Sequence, residues 1–559
     1  MSSFHPLVEE HSATIDRALD AVHDRSFHAH WPEAPSGKIY GETANADGQA
    51  AFEAQKNRPF DRLLQQGVIL HHGEEESPYG FTLGITYPVS SAEHLMRQAH
   101  DAMRSWSKLP VRERAAVLIE CLEDASKHFF EIGYATQHTT GQGFVMSFQA
   151  SGPHSFDRAL EAVATGVHAL ESFVTKQEWT KPMGKMNVVL DKRYYVRPKG
   201  VNVTIGCSTF PVWNTLPGMF ASLITGAATI AKAHTKVVYP IAIVVASMQH
   251  TLARLGLDPH LVQLACGAHE HRITHDLLES PVLGTVDYTG SSQFGDEVEA
   301  ICARTKVTCF TEKAGVNTIL LGSAANLDAA LDNIAFSLSL YSGQMCTAPQ
   351  NIFIPENGVS DGDVQVSFDD VCSRLATKVR DIAHNEKMGP TTLGALQNPH
   401  TKDRLEAASA LSVQVILPTE RIAQPGFDHA RSYSPLILKA GVEQTDIYET
   451  EWFGPIAFVI PVRDFAHGIE RMTQIVRTHG ALTSACYTTD AAQQQEAEAA
   501  LIDAGVPVAF NFTGPIWINQ SAAFSDFHGT GANAAGNASY ADLTFVTARY
   551  NVIGARVCA

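Results

Sequence analysis

Between about Val89 and Ser172, apolar residues recur three and four positions apart, the spacing that gives a helix one apolar stripe. The run "SSAEHLMRQAHDAMRSWSKLP" opens on a serine suited to cap a first turn, and "VRERAAVLIECLEDASKHFFEIGYAT" resumes the period after Pro110. At "KMNVVLDKRYYVRPKG" the period drops to two, Val, Leu and Tyr alternating with charge, which predicts a strand. From Val201 short apolar runs alternate with helical ones. "VNVTIG", "AATIAKA" and "LVQLAC" read as strands, and "TLPGMFASLITG" and "YPIAIVVASMQHTLARLG" as helices. "GTVDYTG", "QFGDEVEAICART" and "TKVTCFTEKAG" continue the series. Such alternation predicts α/β architecture with doubly wound parallel sheets and right-handed crossovers. A second α/β region follows from about Val316 to Asp526. The tail "YADLTFVTARYNVIGARV" alternates again and is expected to pair with residues 186–197 in a small sheet. Residues 1–80 read as helical pieces draped over the larger body.

A chain of 559 residues predicts roughly two to four domains. With 41 Lys and Arg against 59 Asp and Glu, the formal net charge is −18. That excludes nucleic acid or an anionic membrane as the main partner, because both need a basic face. The nine cysteines form no C-x-x-C pair and are widely spaced, unlike a disulfide framework or a zinc ribbon. The amino terminus lacks an apolar secretory core, and no stretch reaches the roughly 18 apolar residues of a membrane span. A cytoplasmic, soluble protein is expected.

Candidate chemistry is scattered along this frame. "DYTGSSQFGDEVEA" sets Gly290, Ser291 and Gly295 after a strand and at the mouth of a helix, where amides can meet a phosphate. It is not G-x-G-x-x-G, and on this stretch alone a plain tight turn is the favoured reading. Lys232 closes the strand "AATIAK", where a cation can meet a ribose or phosphate or simply face water. Glu312, after an apolar strand in "CFTEKAGVN", is a candidate general base with a raised pKa, or a solvated strand end. Glu451 in "ETEWFGPIAFVI" offers a carboxylate to a cofactor hydroxyl beside the wall of Phe453, or anchors a turn. "SGQMCTAPQN" places Cys346 in a Gly- and Pro-punctuated link, unlike the other cysteines, which lie in apolar runs. Backbone amides there can support a thiolate. His269, His271 and His275 in "AHEHRITHD" are close together, but the motif is not H-E-x-x-H and no metal site is assigned.

Taken in order, these pieces resemble the aldehyde dehydrogenase superfamily over about residues 90–555. Cys346 of "GQMC" lies 34 residues after Glu312 of "EKAG", the family's spacing between its catalytic cysteine and glutamate. The resemblance implies Cys346 as nucleophile and Glu312 as water-activating base. Lys232, Gly290, Ser291, Gly295, Glu451 and Phe453 fall on cofactor-contact positions. The oxyanion donor is left between Thr209, which occupies the family's Asn position in "STFP", and nearby Asn214 in "VWN". Where the family usually carries an adenosine-ribose Glu, this chain has Thr235; with Lys232 and His234 alongside, NADP is favoured over NAD. The wording "STFPVWNTLPGMFASL" is similar to PaaN-type phenylacetic acid degradation proteins and benzoyl-CoA pathway semialdehyde dehydrogenases.

The implied fold is aldehyde dehydrogenase-like, with two doubly wound parallel α/β domains and a small β oligomerisation extension. The expected division is an N-terminal extension over 1–80, a dinucleotide-binding domain over 81–185 and 199–312, a catalytic domain over 313–526, and an oligomerisation sheet from 186–198 and 527–559. The implied activity is oxidation of a small-molecule aldehyde, a CoA-linked semialdehyde, to its acid, by a homodimer or dimer of dimers. The competitors are a CoA-acylating dehydrogenase and a non-catalytic scaffold with the same fold.

Overall fold

The computed structural model describes residues 4–267, 273–514, 516 and 521–558. Helix Ala92–Trp106 shows how the apolar stripe becomes packing. Ser91 accepts a hydrogen bond from the His94 amide at its start, and Leu95, Met96, Ala99, Ala102, Met103 and Trp106 are buried along one side. Helices Val111–Ser126 and Pro153–Glu171 bury their stripes in the same core.

Five parallel strands follow, in the order Thr308–Glu312, Leu283–Thr289, Val201–Ile205, Thr229–Lys232, Val262–Ala265. Val201–Ile205, Leu283–Thr289 and Val262–Ala265 are buried throughout, as strands covered by helices on both faces must be. Register places Thr289 beside Glu312 and Ile205 beside Lys232, so the loops after these strands emerge along one carboxyl edge.

A second sheet has seven strands: Gln414–Leu417, Leu436–Lys439, Ile456–Val462, Asn351–Pro355, Thr318–Leu321, Ser484–Tyr487 and Val508–Phe510. Only the first pairs antiparallel, at one edge. Its two faces carry separate apolar clusters.

The small sheet pairs Tyr550–Cys558 with Met186–Pro198, antiparallel and in continuous register. Three differences from the expected division stand out. Lys176–Met183 joins this sheet as a third strand, although it was grouped with the cofactor-side helices. Residues 527–549 do not join it: Tyr540, Phe545 and Val546 are buried in the core of the first sheet, and Glu312 bridges Gly536. Finally, Val68–His72 pairs with Tyr87–Ser90 across the boundary set at residue 80. The N-terminal segment is part of the core, with Trp31 buried edge-on to Phe156 at 5.6 Å between ring centres. No helix among the described residues is long and apolar enough to cross a membrane.

Candidate active site

The link holding Cys346 is strained and heavily tied. Tyr341, Ser342 and Gly343 have successive φ values of 52°, 51° and 65°, a left-handed run that costs free energy for the first two residues. Hydrogen bonds over-determine it. Tyr341 Oη donates to the Thr140 carbonyl (2.6 Å) and Ser342 Oγ to the Leu393 carbonyl (3.0 Å). Gln344 Nε2 donates to the Tyr341 and Ala395 carbonyls, and its Oε1 accepts from the Gln397 amide. A side chain at position 343 would meet the Gly454 carbonyl at 2.4 Å, so glycine is what lets this link approach the loop carrying Glu451. Asn317 Nδ2 donates to the Cys346 carbonyl (2.8 Å) while its Oδ1 accepts the Leu482 and Thr483 amides. Cys346 is thereby fixed against both halves of the molecule.

Two cavities converge on it. One, of about 500 Å³, is lined by Lys232, His234, Gly290, Ser291, Glu312, Glu451 and Phe453, together with Thr209, Asn214 and Cys346. The other, of about 620 Å³, has a mixed lining: Met146, Phe210, Trp213, Phe336 and Met345 stand beside Glu33, His154 and His528. Phe210, Asn214 and Cys346 line both.

Of the twelve residues singled out from sequence, ten therefore share the first cavity. Thr235 and Gly295 do not line it. Gly295 lies buried in the first turn of helix Ser292–Thr305, where a Cβ would fall 2.6 Å from Lys313 Cδ, so glycine makes room for that side chain. Lys313 in turn pairs with Asp296 and Glu299. His269 and His271 fall outside the described residues, and His275 is bonded to Glu297 (2.7 Å).

The first cavity fits a phosphorylated dinucleotide. Among the described residues Lys232 Nζ donates only to its neighbour's carbonyl at Ala233 (2.9 Å), and burial pulls its pKa down, so an anion placed there relieves it. Burial, then the Lys232 charge, also lowers His234, to about 4, Glu74 pulling the other way. His234 is thus neutral near pH 7 and meets a phosphate as a hydrogen-bonding group. Ser291 caps helix Ser292–Thr305 by accepting from the Phe294 amide (3.5 Å). Burial pushes the Glu451 carboxyl up to about 7 against the pull of Arg404 and the Gly315 amide.

Around the sulfur, one expectation is corrected and one open choice narrows. Burial alone would raise Glu312, but the His528 charge and hydrogen bond, with the neighbouring Cys346 thiol, outweigh it and hold the carboxyl below its ordinary value. Glu312 is therefore ionised at rest rather than poised near neutrality. Burial first, then the Glu312 carboxylate, push the Cys346 thiol well up, so the resting sulfur keeps its proton. Asn214 Oδ1 accepts from the Cys207 thiol (3.1 Å), while its buried Nδ2 has no hydrogen-bond partner among the described residues. Thr209 Oγ1 instead faces the Cys207 sulfur at 3.6 Å.

His528 was not singled out from sequence. Its Nε2 lies 2.9 Å from Glu312 Oε2 and 4.0 Å from Cys346 Sγ. The stretch that carries it, "FSDFHGTGANAAG", offers one histidine among glycines and small residues.

A sequence model described as "Aldehyde dehydrogenase family" matches residues 87–546. The fold is similar to the crystal structure of an NAD-dependent aldehyde dehydrogenase from Burkholderia multivorans, with 41% identity, a TM-score of 0.96 and 99% of each chain covered. A 3,4-dehydroadipyl-CoA semialdehyde dehydrogenase from Aromatoleum evansii is 25% identical over 69% of this chain and 74% of its own. A putative NADP(+) succinate-semialdehyde dehydrogenase from Mycolicibacterium smegmatis is 23% identical over 86% of this chain and 87% of its own.

Proposed function

The chain belongs to the aldehyde dehydrogenase family, and from that premise we propose that it oxidises an aldehyde to the carboxylic acid through a thioester on Cys346. The observation that carries this reading is the position of Cys346, where a cleft suited to a dinucleotide meets a second cavity beside Glu312.

The Cys346 thiol loses its proton to solvent and the sulfur attacks the aldehyde carbon lying in the second cavity. Asn214 Nδ2 and the Cys346 amide hold the oxygen that gains negative charge. The dinucleotide, when bound, supplies the hydride acceptor that turns this adduct into a thioester. Lys232, Ser291 and Gly290 serve its phosphates, and Glu451 with Phe453 its nicotinamide end. Glu312 then takes a proton from the water that attacks the thioester, and the acid leaves. A free buried Nδ2 favours Asn214 over Thr209 as the donor. Asn214→Ala should lower kcat/KM about 10²–10³-fold and Thr209→Val at most about tenfold, read from steady-state kinetics; the reverse order would return the role to Thr209.

NADP remains the favoured cofactor, because Lys232 is followed by His234 and by Thr235 in place of an acid, which removes one carboxylate that would repel a 2′-phosphate. The substrate is assigned to aldehydes with no free carboxylate at the far end of the acyl arm, including CoA-linked semialdehydes from aromatic-acid breakdown. The second cavity's described lining has no Lys or Arg to meet a terminal carboxylate, and the name of the Aromatoleum relative points the same way. Phenylacetaldehyde, hexanal, succinate semialdehyde and a CoA-linked semialdehyde, each tried with NAD⁺ and NADP⁺, test all of this. Succinate semialdehyde as the best substrate, or a preference for NAD⁺, contradicts the corresponding assignment, and acyl-CoA formed on adding free CoA would favour the acylating alternative. Met186, Val552, Ile553 and Val557 are exposed on the small sheet, which supports a homodimer or dimer of dimers closed through that sheet. Light scattering giving a monomer would reject it.

A further inference from the structure

Resting on the Cys346 thioester reading, we propose that His528 is a positioning residue for the hydrolytic half of the reaction: it clamps one oxygen of Glu312 beside Cys346 and keeps that carboxyl ionised, leaving the other oxygen to take the proton from water.

The geometry divides the carboxylate in two. Glu312 Oε2 is held by His528 Nε2 at 2.9 Å, both side chains about 5% exposed. Glu312 Oε1 is buried with no hydrogen-bond partner among the described residues. Such an oxygen is costly to leave unpaired, and at a reaction centre it marks where a proton or a water is to be received.

The imidazole cannot swing away. Its Nδ1 faces Ser521 Oγ at 3.4 Å, Trp213 stands edge-on at 4.5 Å between ring centres, and Tyr540 covers it at 5.4 Å. The Tyr540 amide donates to the His528 carbonyl (3.0 Å), pinning the backbone as well. A few residues on, the same segment is laced to the strand carrying Glu312: Lys313 donates to the Ala535 carbonyl (2.6 Å), and Asn537 to that of Thr311 (3.0 Å). The segment thus presents its histidine to the end of the strand it pairs with.

No other described group around the pair supplies a free positive charge. Cys346 and Cys207 are thiols that burial pushes up, Tyr540 is a phenol raised for the same reason, and Glu451 is acidic. Arg158 touches Ser521 but is paired with buried Glu161, and Lys313 is paired with Asp296 and Glu299. Without His528, burial would act on Glu312 unopposed and favour its protonated, non-basic form.

The step balances without a redox partner. Water loses one proton to Glu312 Oε1 as its oxygen bonds to the thioester carbon. The carbon–sulfur bond breaks, the acid departs, and the thiolate recovers a proton from the Glu312–His528 pair.

The test uses the full-length protein, a good aldehyde and saturating cofactor, comparing pH profiles of kcat with the stopped-flow burst of reduced cofactor. His528→Phe should keep the burst, and a KM for aldehyde within about threefold, while kcat at pH 7 falls about 10–100-fold. The acidic limb of its kcat profile should move alkaline by about one pH unit or more, so that activity partly returns at high pH. His528→Gln, which keeps an N–H donor without the charge, should fold normally by thermal shift and fall between the two. A loss uniform across pH in both variants, or an unshifted limb with the wild-type ratio of burst to steady state, overturns the proposal. Wild-type protein with no aldehyde-dependent reduction would instead remove the reaction, and the role of His528 with it.

Discussion

Cys346→Ala is expected to abolish aldehyde-dependent formation of reduced cofactor, lowering kcat by at least about 10⁴-fold, because covalent catalysis has no residual route without its nucleophile. The nearest rival, Cys207, lines the same cavity, but its thiol is committed to Asn214 Oδ1 at 3.1 Å and is shifted up by burial. It does not take over, and Cys207→Ser should cost far less than Cys346→Ala. Folding should survive, since Cys346 is only half-buried and the link around it is held by Tyr341, Ser342, Gln344 and Asn317. Thermal shift on adding NADP⁺ should match wild type, showing an intact cofactor cleft. Appreciable residual oxidation by the alanine variant, measured as NADPH absorbance, would place the nucleophile elsewhere.

Glu312→Gln is expected to separate the two halves of the reaction. Gln keeps the shape and can still bond to His528, but it cannot accept a proton from water. The burst of reduced cofactor should remain close to one per subunit, while steady-state kcat falls about 10²–10³-fold, the usual worth of a positioned general base. Stopped-flow absorbance reads both quantities in one trace. If the burst disappears with the steady state, Glu312 also receives the thiol proton. An unchanged steady-state rate would exclude it as the base.

How far the sequence reveals this site depends on the distance over which each residue's role is decided. Strands such as Val201–Ile205 and Leu283–Thr289 are legible because burial on both faces writes a continuous apolar run. The strand Lys176–Met183 is not, since "KQEWTKPM" is exposed almost throughout and becomes a strand only by pairing with Met186–Pro198. Cys346 and Glu312 are found by their mutual spacing and flanking wording, local signals that survive in one chain. The sign of the Glu312 shift is lost for the opposite reason: its apolar neighbours are adjacent in sequence, whereas His528 arrives through distant pairing at residues 311–313 and 535–537. A single histidine in a glycine-rich loop carries no periodicity to announce it. The choice between Thr209 and Asn214 stays open in sequence because it turns on which amide atom is left unbonded.

The central claim is an acyl group carried on one sulfur, and it can be weighed. Glu312→Gln protein mixed with aldehyde and NADP⁺, quenched in acid and measured by intact-mass spectrometry, should gain the mass of the acyl group, and peptide mapping should place it at Cys346. An unmodified chain after a full burst of reduced cofactor, or an adduct on any other residue, would contradict the account.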